Sequence, residues 1–216
     1  MSDAGFASVI LDVDSTLCGL EGIDWLAERR GGTTGAQVVD LTDRAMRGDI
    51  ALDAVYGERL ALVRPSRDEI AALADAYSAT VAEHAAYAIL RMRAAGKRVV
   101  LVSGGVREAI LPIAERLGIP PKDVRAVSVR FDVDGNYAGF DTMSPLTTAT
   151  GKRNVAESLA LPRRILAVGD GATDLAMRPA VDAFAAYTGF VRRDAVVNSA
   201  DMVVSSFDQL MEIVLA

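Results

Sequence analysis

Three short apolar runs in this chain are each followed at once by acidic or very small residues, and that coupling constrains the fold more than any other feature. Ala7-Ser8-Val9-Ile10-Leu11 leads into Asp12-Val13-Asp14-Ser15-Thr16-Leu17. Val99-Val100-Leu101-Val102 leads into Ser103-Gly104-Gly105, and Ile165-Leu166-Ala167-Val168 into Gly169-Asp170-Gly171-Ala172-Thr173-Asp174. A short continuous apolar run reads as a strand buried on both faces. The residues that follow then stand at the carboxyl ends of strands, where open α/β sheets bind ligands. Asp12 and Asp14, two residues apart, repel each other unless a cation or a shared proton relieves them, which points to metal binding or acid/base chemistry.

Further apolar runs at 124–129, 183–186 and 202–204 alternate with stretches of helical periodicity, as at 89–95 and 106–117. Gly118-Ile119-Pro120-Pro121 stops the latter helix. The alternation predicts an α/β protein, a Rossmann-like, doubly wound parallel sheet. Residues 22–86 break the rhythm with about four helical stretches and no strand, one of them opened by Ser66 ahead of Asp68-Glu69. Such a small all-helical insertion after the first strand would lie above the strand ends and cover Asp12 and Asp14 like a lid. The expected division is a catalytic core at 1–17 and 87–216 and a helical cap at 18–86. Asp132-Val133-Asp134-Gly135-Asn136 reads as the turn of a β-hairpin, its acids solvated.

With 216 residues, 51% of them hydrophobic, and 18 glycines, the chain can bury one sizeable core or a core with a smaller appended unit. No apolar stretch reaches the roughly 18 residues of a membrane span, and Asp3 with no basic lead-in is unlike a secretory signal. The net charge of −6, with arginines in scattered pairs, excludes a phosphate-tracking nucleic-acid surface. Cys18 is the sole cysteine, so no disulfide framework forms; a reducing cytoplasm and a packing role are expected. His84, the sole histidine, falls near the end of the insertion, away from the acidic motifs.

Four segments carry chemistry. Beyond the Asp12/Asp14 pair, Ser103-Gly104-Gly105 before a helix offers a hydroxyl and free amides to phosphate oxygens. Lys152 opens a predicted helix and could bind the oxygens of a transferring phosphoryl group. Asp170 and Asp174 add two carboxylates at a strand end, a hard oxygen donor set suited to Mg²⁺. Singly, these are an ordinary turn, a surface lysine and a solvated loop. In this order, together, they resemble the haloacid dehalogenase superfamily of aspartate-nucleophile phosphohydrolases.

The resemblance narrows to the phosphoserine phosphatases and spans about 9–210. In the cap it is carried by Glu21-Gly22-Ile23-Asp24, Arg44-Ala45-Met46-Arg47-Gly48, Glu58-Arg59-Leu60-Ala61-Leu62 and Pro65-Ser66-Arg67; Tyr137-Ala138-Gly139-Phe140-Asp141 and Asp182-Ala183-Phe184 add to it in the core. It implies that Asp12 is the nucleophile and Asp14 the general acid and base. Mg²⁺ would be held by Asp12, the backbone carbonyl of Asp14 and Asp170, with Asp174 in support. Ser103, Gly104 and Lys152 would bind the phosphoryl oxygens. Glu21 would take the substrate ammonium and Arg59 its carboxylate. Met46, Gly48, Thr173 and Arg193 would complete the pocket, with Arg192 an adjacent alternative to Arg193. The implied substrate is a small phosphomonoester, L-phosphoserine, which would place the chain in serine biosynthesis as a cytoplasmic monomer or homodimer.

The pattern also departs from its relatives. Leu52 stands where they carry an aromatic, Val81-Ala82-Glu83-His84 where a proline opens the next helix, and Tyr187-Thr188-Gly189-Phe190 is bulkier than usual. Alternatives therefore stay open: another small phosphomonoester such as phosphocholine or a sugar phosphate, phosphoryl transfer to an alcohol, or a non-catalytic binder of phosphorylated ligands.

Overall fold

A computed structural model describes residues 5–47, 50 and 52–216, leaving aside the side chains at 34, 43, 45–47, 52 and 54. Six strands form one parallel sheet in the order β3-β2-β1-β6-β7-β8: β1 Ser8–Leu11, β2 Arg98–Val106, β3 Val124–Val127, β6 Ile165–Gly169, β7 Ala183–Tyr187 and β8 Met202–Val204. The apolar runs become strands because helices cover them; every residue of β1 and β6 is buried. β1 lies between β2 and β6, so the strand order reverses there, and the crevice of an open α/β sheet forms at such a switch point. Leu11 is in register with both Leu101 and Val168. That pairing alone aligns Asp12, Ser103 and Asp170 along one edge.

Two strand expectations change. Ser103, Gly104 and Gly105 do not form a turn after β2: the strand runs on to Val106, with a bulge between Val102 and Val106, and only then does helix α6 Arg107–Arg116 begin. The small residues let the backbone continue extended where bulkier ones would crowd the site, and they are therefore not at a helix N-terminus. The single strand expected over 124–129 is two, β3 and β4 Val129–Phe131. β4 leaves the sheet to pair antiparallel with β5 Tyr137–Phe140, the hairpin that turns at Asp134-Gly135.

Between β1 and β2 run α1 Gly22–Arg30, α2 Gly32–Arg47, α3 Leu52–Val63, α4 Arg67–Ala79 and α5 Ala85–Ala94, with no strand among their described residues. α5 packs on the C-terminal helix α10 Phe207–Leu215, which follows the short α9 Asp194–Val197; α1 to α3 pack mainly on one another, whereas α4 packs chiefly on α6 and less on α1. Their corner is tied by Arg30, which bonds the Val63 and Arg64 carbonyls and pairs with Glu69. Glu69 also closes a capping box with Ser66 at the start of α4. The chain enters and leaves these helices through a narrow neck. There Cys18 bridges Val81, Gly19 N donates to Thr80 O at 2.9 Å, and Ala82 N donates to Leu17 O at 2.9 Å. Among the described residues no helix is long and apolar enough to cross a membrane.

Candidate active site

Asp12 follows β1 directly, Asp170 follows β6, Asp174 lies in the first turn of α8 Ala172–Leu175, and Lys152 opens α7 Gly151–Ser158. All four side chains are buried. Lys152 Nζ donates to Asp12 Oδ1 at 2.5 Å and to Asp174 Oδ1 at 2.6 Å. Asp174 Oδ2 accepts from the Gly171 amide at 2.9 Å, and Asp170 accepts from Thr16 Oγ1 at 3.1 Å and from Arg193. One oxygen each of Asp12, Asp170 and Asp174 lies within 4.8 Å of the others. Asp174, expected only in a supporting role, is thus part of the same carboxylate cluster.

Burial, then the Asp174 carboxylate, raise Asp12 well above the usual carboxylate range and Asp170 to about 6. Burial disfavours the charged form of Lys152, but the Asp12 and Asp174 carboxylates outweigh it and hold the ammonium charged. Three crowded carboxylates against one lysine and one arginine leave negative charge uncompensated. A hard divalent cation matches that oxygen donor set and its surplus charge, so the residues present fit Mg²⁺.

Asp14 stands apart from this cluster. Its Oδ1 accepts from the Gly22 amide at 2.8 Å and from the Tyr77 hydroxyl at 2.6 Å, and its Oδ2 from Ser103 Oγ at 3.0 Å. Gly22 and Tyr77 belong to α1 and α4, so helices from the insertion hold an acid from the sheet. Next in the chain, Ser15 adopts the left-handed region, φ 52, and its hydroxyl donates to Glu21 Oε1 at 2.7 Å.

These groups open onto a cavity of about 480 Å³ lined by Asp12, Asp14, Glu21, Arg59, Gly104, Lys152, Asp170 and Thr173, among others. Ser103 and Arg193 do not line it but bond residues that do. Glu21 keeps 27% of its side chain exposed, and among the described residues its cationic neighbour is Arg193 at 3.9 Å. Burial and then the Asp14 charge push its carboxyl up to about 8. Arg59 is only 6% exposed; its Nη2 bonds Asp24 Oδ1 at 2.9 Å, yet among the described residues its buried Nε has no partner. Arg192 points elsewhere, to Asp194. Met46 and Gly48 lie outside the described residues, Met46 in its side chain.

The model of the haloacid dehalogenase-like hydrolases matches residues 9–179, from β1 through the segment after α8. This chain belongs to that family. The phosphoserine phosphatase of the mouse, Mus musculus, is 35% identical over 207 residues, covering 94% of this chain and 91% of the mouse protein. That of Drosophila melanogaster is 37% identical over 210 residues, covering 94% and 76%. The solved structure of a phospho-aspartyl intermediate analogue of phosphoserine phosphatase superposes with a TM-score of 0.76 at 25% identity, covering 96% of this chain and 98% of that one.

Several residues of this haloacid dehalogenase-like hydrolase site escape sequence reasoning. Tyr77 lies on the buried stripe Ile70, Leu73, Ala74, Tyr77 of α4 and reads as core. Tyr56 donates to the Gly104 carbonyl at 2.7 Å and lines the cavity. Asp24 reads as a first-turn acid of α1 but anchors Arg59 and accepts from Thr42 at 2.7 Å. Only spatial neighbours distinguish these from structural residues.

Proposed function

We propose that this phosphatase hydrolyses O-phospho-L-serine to L-serine and phosphate through an aspartyl-phosphate on Asp12. The observation that carries the substrate is the pair Arg59 and Glu21 at one cavity. A buried polar donor without a partner costs about 1–3 kcal/mol, and more when it is charged; among the described residues Arg59 Nε has no partner. A substrate carboxylate would satisfy it, and a substrate ammonium would give Glu21 a closer cation than Arg193 at 3.9 Å. A zwitterionic head group answers both; a neutral sugar answers neither. The mouse and fly relatives favour the same substrate.

In the first step an Asp12 oxygen bonds phosphorus while the bond from phosphorus to the serine oxygen breaks, and that oxygen takes a proton from Asp14. In the second, water bonds phosphorus and gives a proton back to Asp14 as the bond from Asp12 to phosphorus breaks. Lys152 fixes Asp12 and offers its charge to the phosphoryl oxygens, joined by the Ser103 hydroxyl and the Gly104 backbone. Asp12, Asp170 and the Asp14 carbonyl would hold Mg²⁺, with Asp174 in support. When bound, the ion supplies charge that offsets repulsion between carboxylate and phosphate. We assign 18–86 as a cap domain whose closure excludes bulk water. Tyr56 on Gly104, and Asp53 accepting from Ala149 N at 2.9 Å, are contacts of that closed state. Buried, unpaired Cys18 accords with a cytoplasmic site of action.

Phosphate release is to be measured with and without Mg²⁺ over L-phosphoserine, phosphocholine, a sugar phosphate and an aryl phosphate. L-Phosphoserine should be preferred and Asp12→Asn inert. Preference for the sugar phosphate overturns the substrate, and turnover by Asp12→Asn overturns the nucleophile.

A further inference from the structure

The helices between β1 and β2 do more to the acid than cover it. Tyr77 is fully buried on α4, and its hydroxyl lies 2.6 Å from Asp14 Oδ1. The space for it is built by two glycines. A Cβ on Gly22 would stand 2.2 Å from that hydroxyl; one on Gly105 would stand 3.2 Å from it and 2.8 Å from Asp14 Oδ2. Among the described residues Oδ1 therefore has two donors, Tyr77 and the Gly22 amide, both from the inserted helices. Oδ2 has one, the Ser103 hydroxyl at 3.0 Å, which is also a candidate donor to a phosphoryl oxygen. Once Ser103 turns to a phosphoryl group, Oδ2 is bare while Oδ1 stays saturated.

We infer that Tyr77 is a positioning residue for the acid/base step: with the Gly22 amide it occupies Oδ1, so that Oδ2 alone carries the proton to the leaving oxygen and takes it back from water. This rests on Asp14 being the acid and base. It also makes Asp14 competent only when the inserted helices are seated on the sheet, since both Oδ1 donors come from them. Tyr77 itself touches no reacting atom. Its effect should appear in steps that need Asp14 and be absent from a step that does not.

Expulsion of p-nitrophenolate from p-nitrophenyl phosphate needs no proton, whereas expulsion of the serine oxygen does. Tyr77→Phe keeps the ring and removes only the hydroxyl. It should lower kcat for L-phosphoserine about tenfold, the loss of one hydrogen bond to a charged group, with KM within about twofold of wild type. With enzyme in excess over p-nitrophenyl phosphate, its first-turnover release of p-nitrophenol should equal that of wild type. The inference is overturned if kcat for L-phosphoserine is unchanged, if the loss falls on KM instead, or if first-turnover p-nitrophenol release slows in equal measure. Asp14→Asn separates the two levels. If that variant still hydrolyses L-phosphoserine, the role of Asp14 falls and Tyr77's with it. If it is inert while Tyr77→Phe is unaffected, only Tyr77's role falls.

Discussion

Arg59 and Glu21 are held in opposite states of incompleteness. Asp24 satisfies one end of the guanidinium and leaves Nε bare, while Glu21 has the Ser15 hydrogen bond and only a long ion pair, to Arg193 at 3.9 Å. Arg59→Ala should therefore raise KM for L-phosphoserine by roughly 10- to 100-fold, the range for hydrogen bonds to charged groups. It should leave KM for an aryl phosphate nearly unchanged; steady-state kinetics on both substrates decides it, and equal losses would remove Arg59 from the carboxylate role. Lys152 presents a different balance, because it compensates two buried carboxylates at once. Lys152→Met should abolish turnover and, without divalent ions, destabilise the fold by about 3 kcal/mol in urea unfolding. The positions of Asp12, Asp14, Lys152, Asp170 and Asp174 were legible because each follows a strand or opens a helix, and strand register gathers such ends. Tyr77 and Asp24 were not legible: an aromatic on an apolar stripe and an acid in a first helical turn both have complete local explanations.

Among elements, the start of α4 shows sequence and structure agreeing at the level of single bonds. Ser66 and Glu69 satisfy each other's backbone amides, and Ser66→Ala should cost about 1 kcal/mol in chemical unfolding. The start of α5 behaves differently. His84, in the left-handed region at φ 61, bonds Asp208 of α10 at 2.6 Å, with Glu83 at 3.6 Å. The hydrogen bond and charge of Asp208, followed by Glu83, raise the imidazole above its ordinary 6.5 despite slight desolvation. A folded pKa above the unfolded one contributes stability fully present below pH 6.5 and lost as pH rises through the raised value. The thermal midpoint of wild type should exceed that of Asp208→Asn below pH 6.5, and the gap should close as pH rises; a gap independent of pH would refute the pairing. Strand boundaries were less legible than strand existence. Small residues at 103–105 read as a turn although the backbone stays extended, and Ser128 separates runs that look continuous. Both depend on which neighbour a segment pairs with, which periodicity does not encode.

At the scale of the whole molecule, the sheet gathers three carboxylates whose mutual repulsion opposes folding and which Lys152 and Arg193 offset only in part. Mg²⁺ should therefore raise the thermal midpoint, with about 2.7 kcal/mol of added stability at 100 times its dissociation constant. Asp170→Asn should flatten that response, and a titration of midpoint against Mg²⁺ concentration in both proteins tests it. The parallel α/β architecture and the helical insertion were legible from the alternation of apolar runs and from its interruption. The contacts that seat the insertion were not, because they join segments far apart in sequence. They include Tyr56 on Gly104, and Arg67 N donating to Gly135 O of the hairpin at 2.9 Å.

The neck at Leu17, Gly19, Thr80 and Ala82 brings the two ends of the insertion within hydrogen-bonding distance of each other. A graft spliced at that point would meet matching chain ends without stretching or re-pairing a single strand. The same phosphoryl chemistry can in this way be refitted to a bulkier or differently charged customer by exchanging one contiguous stretch of chain.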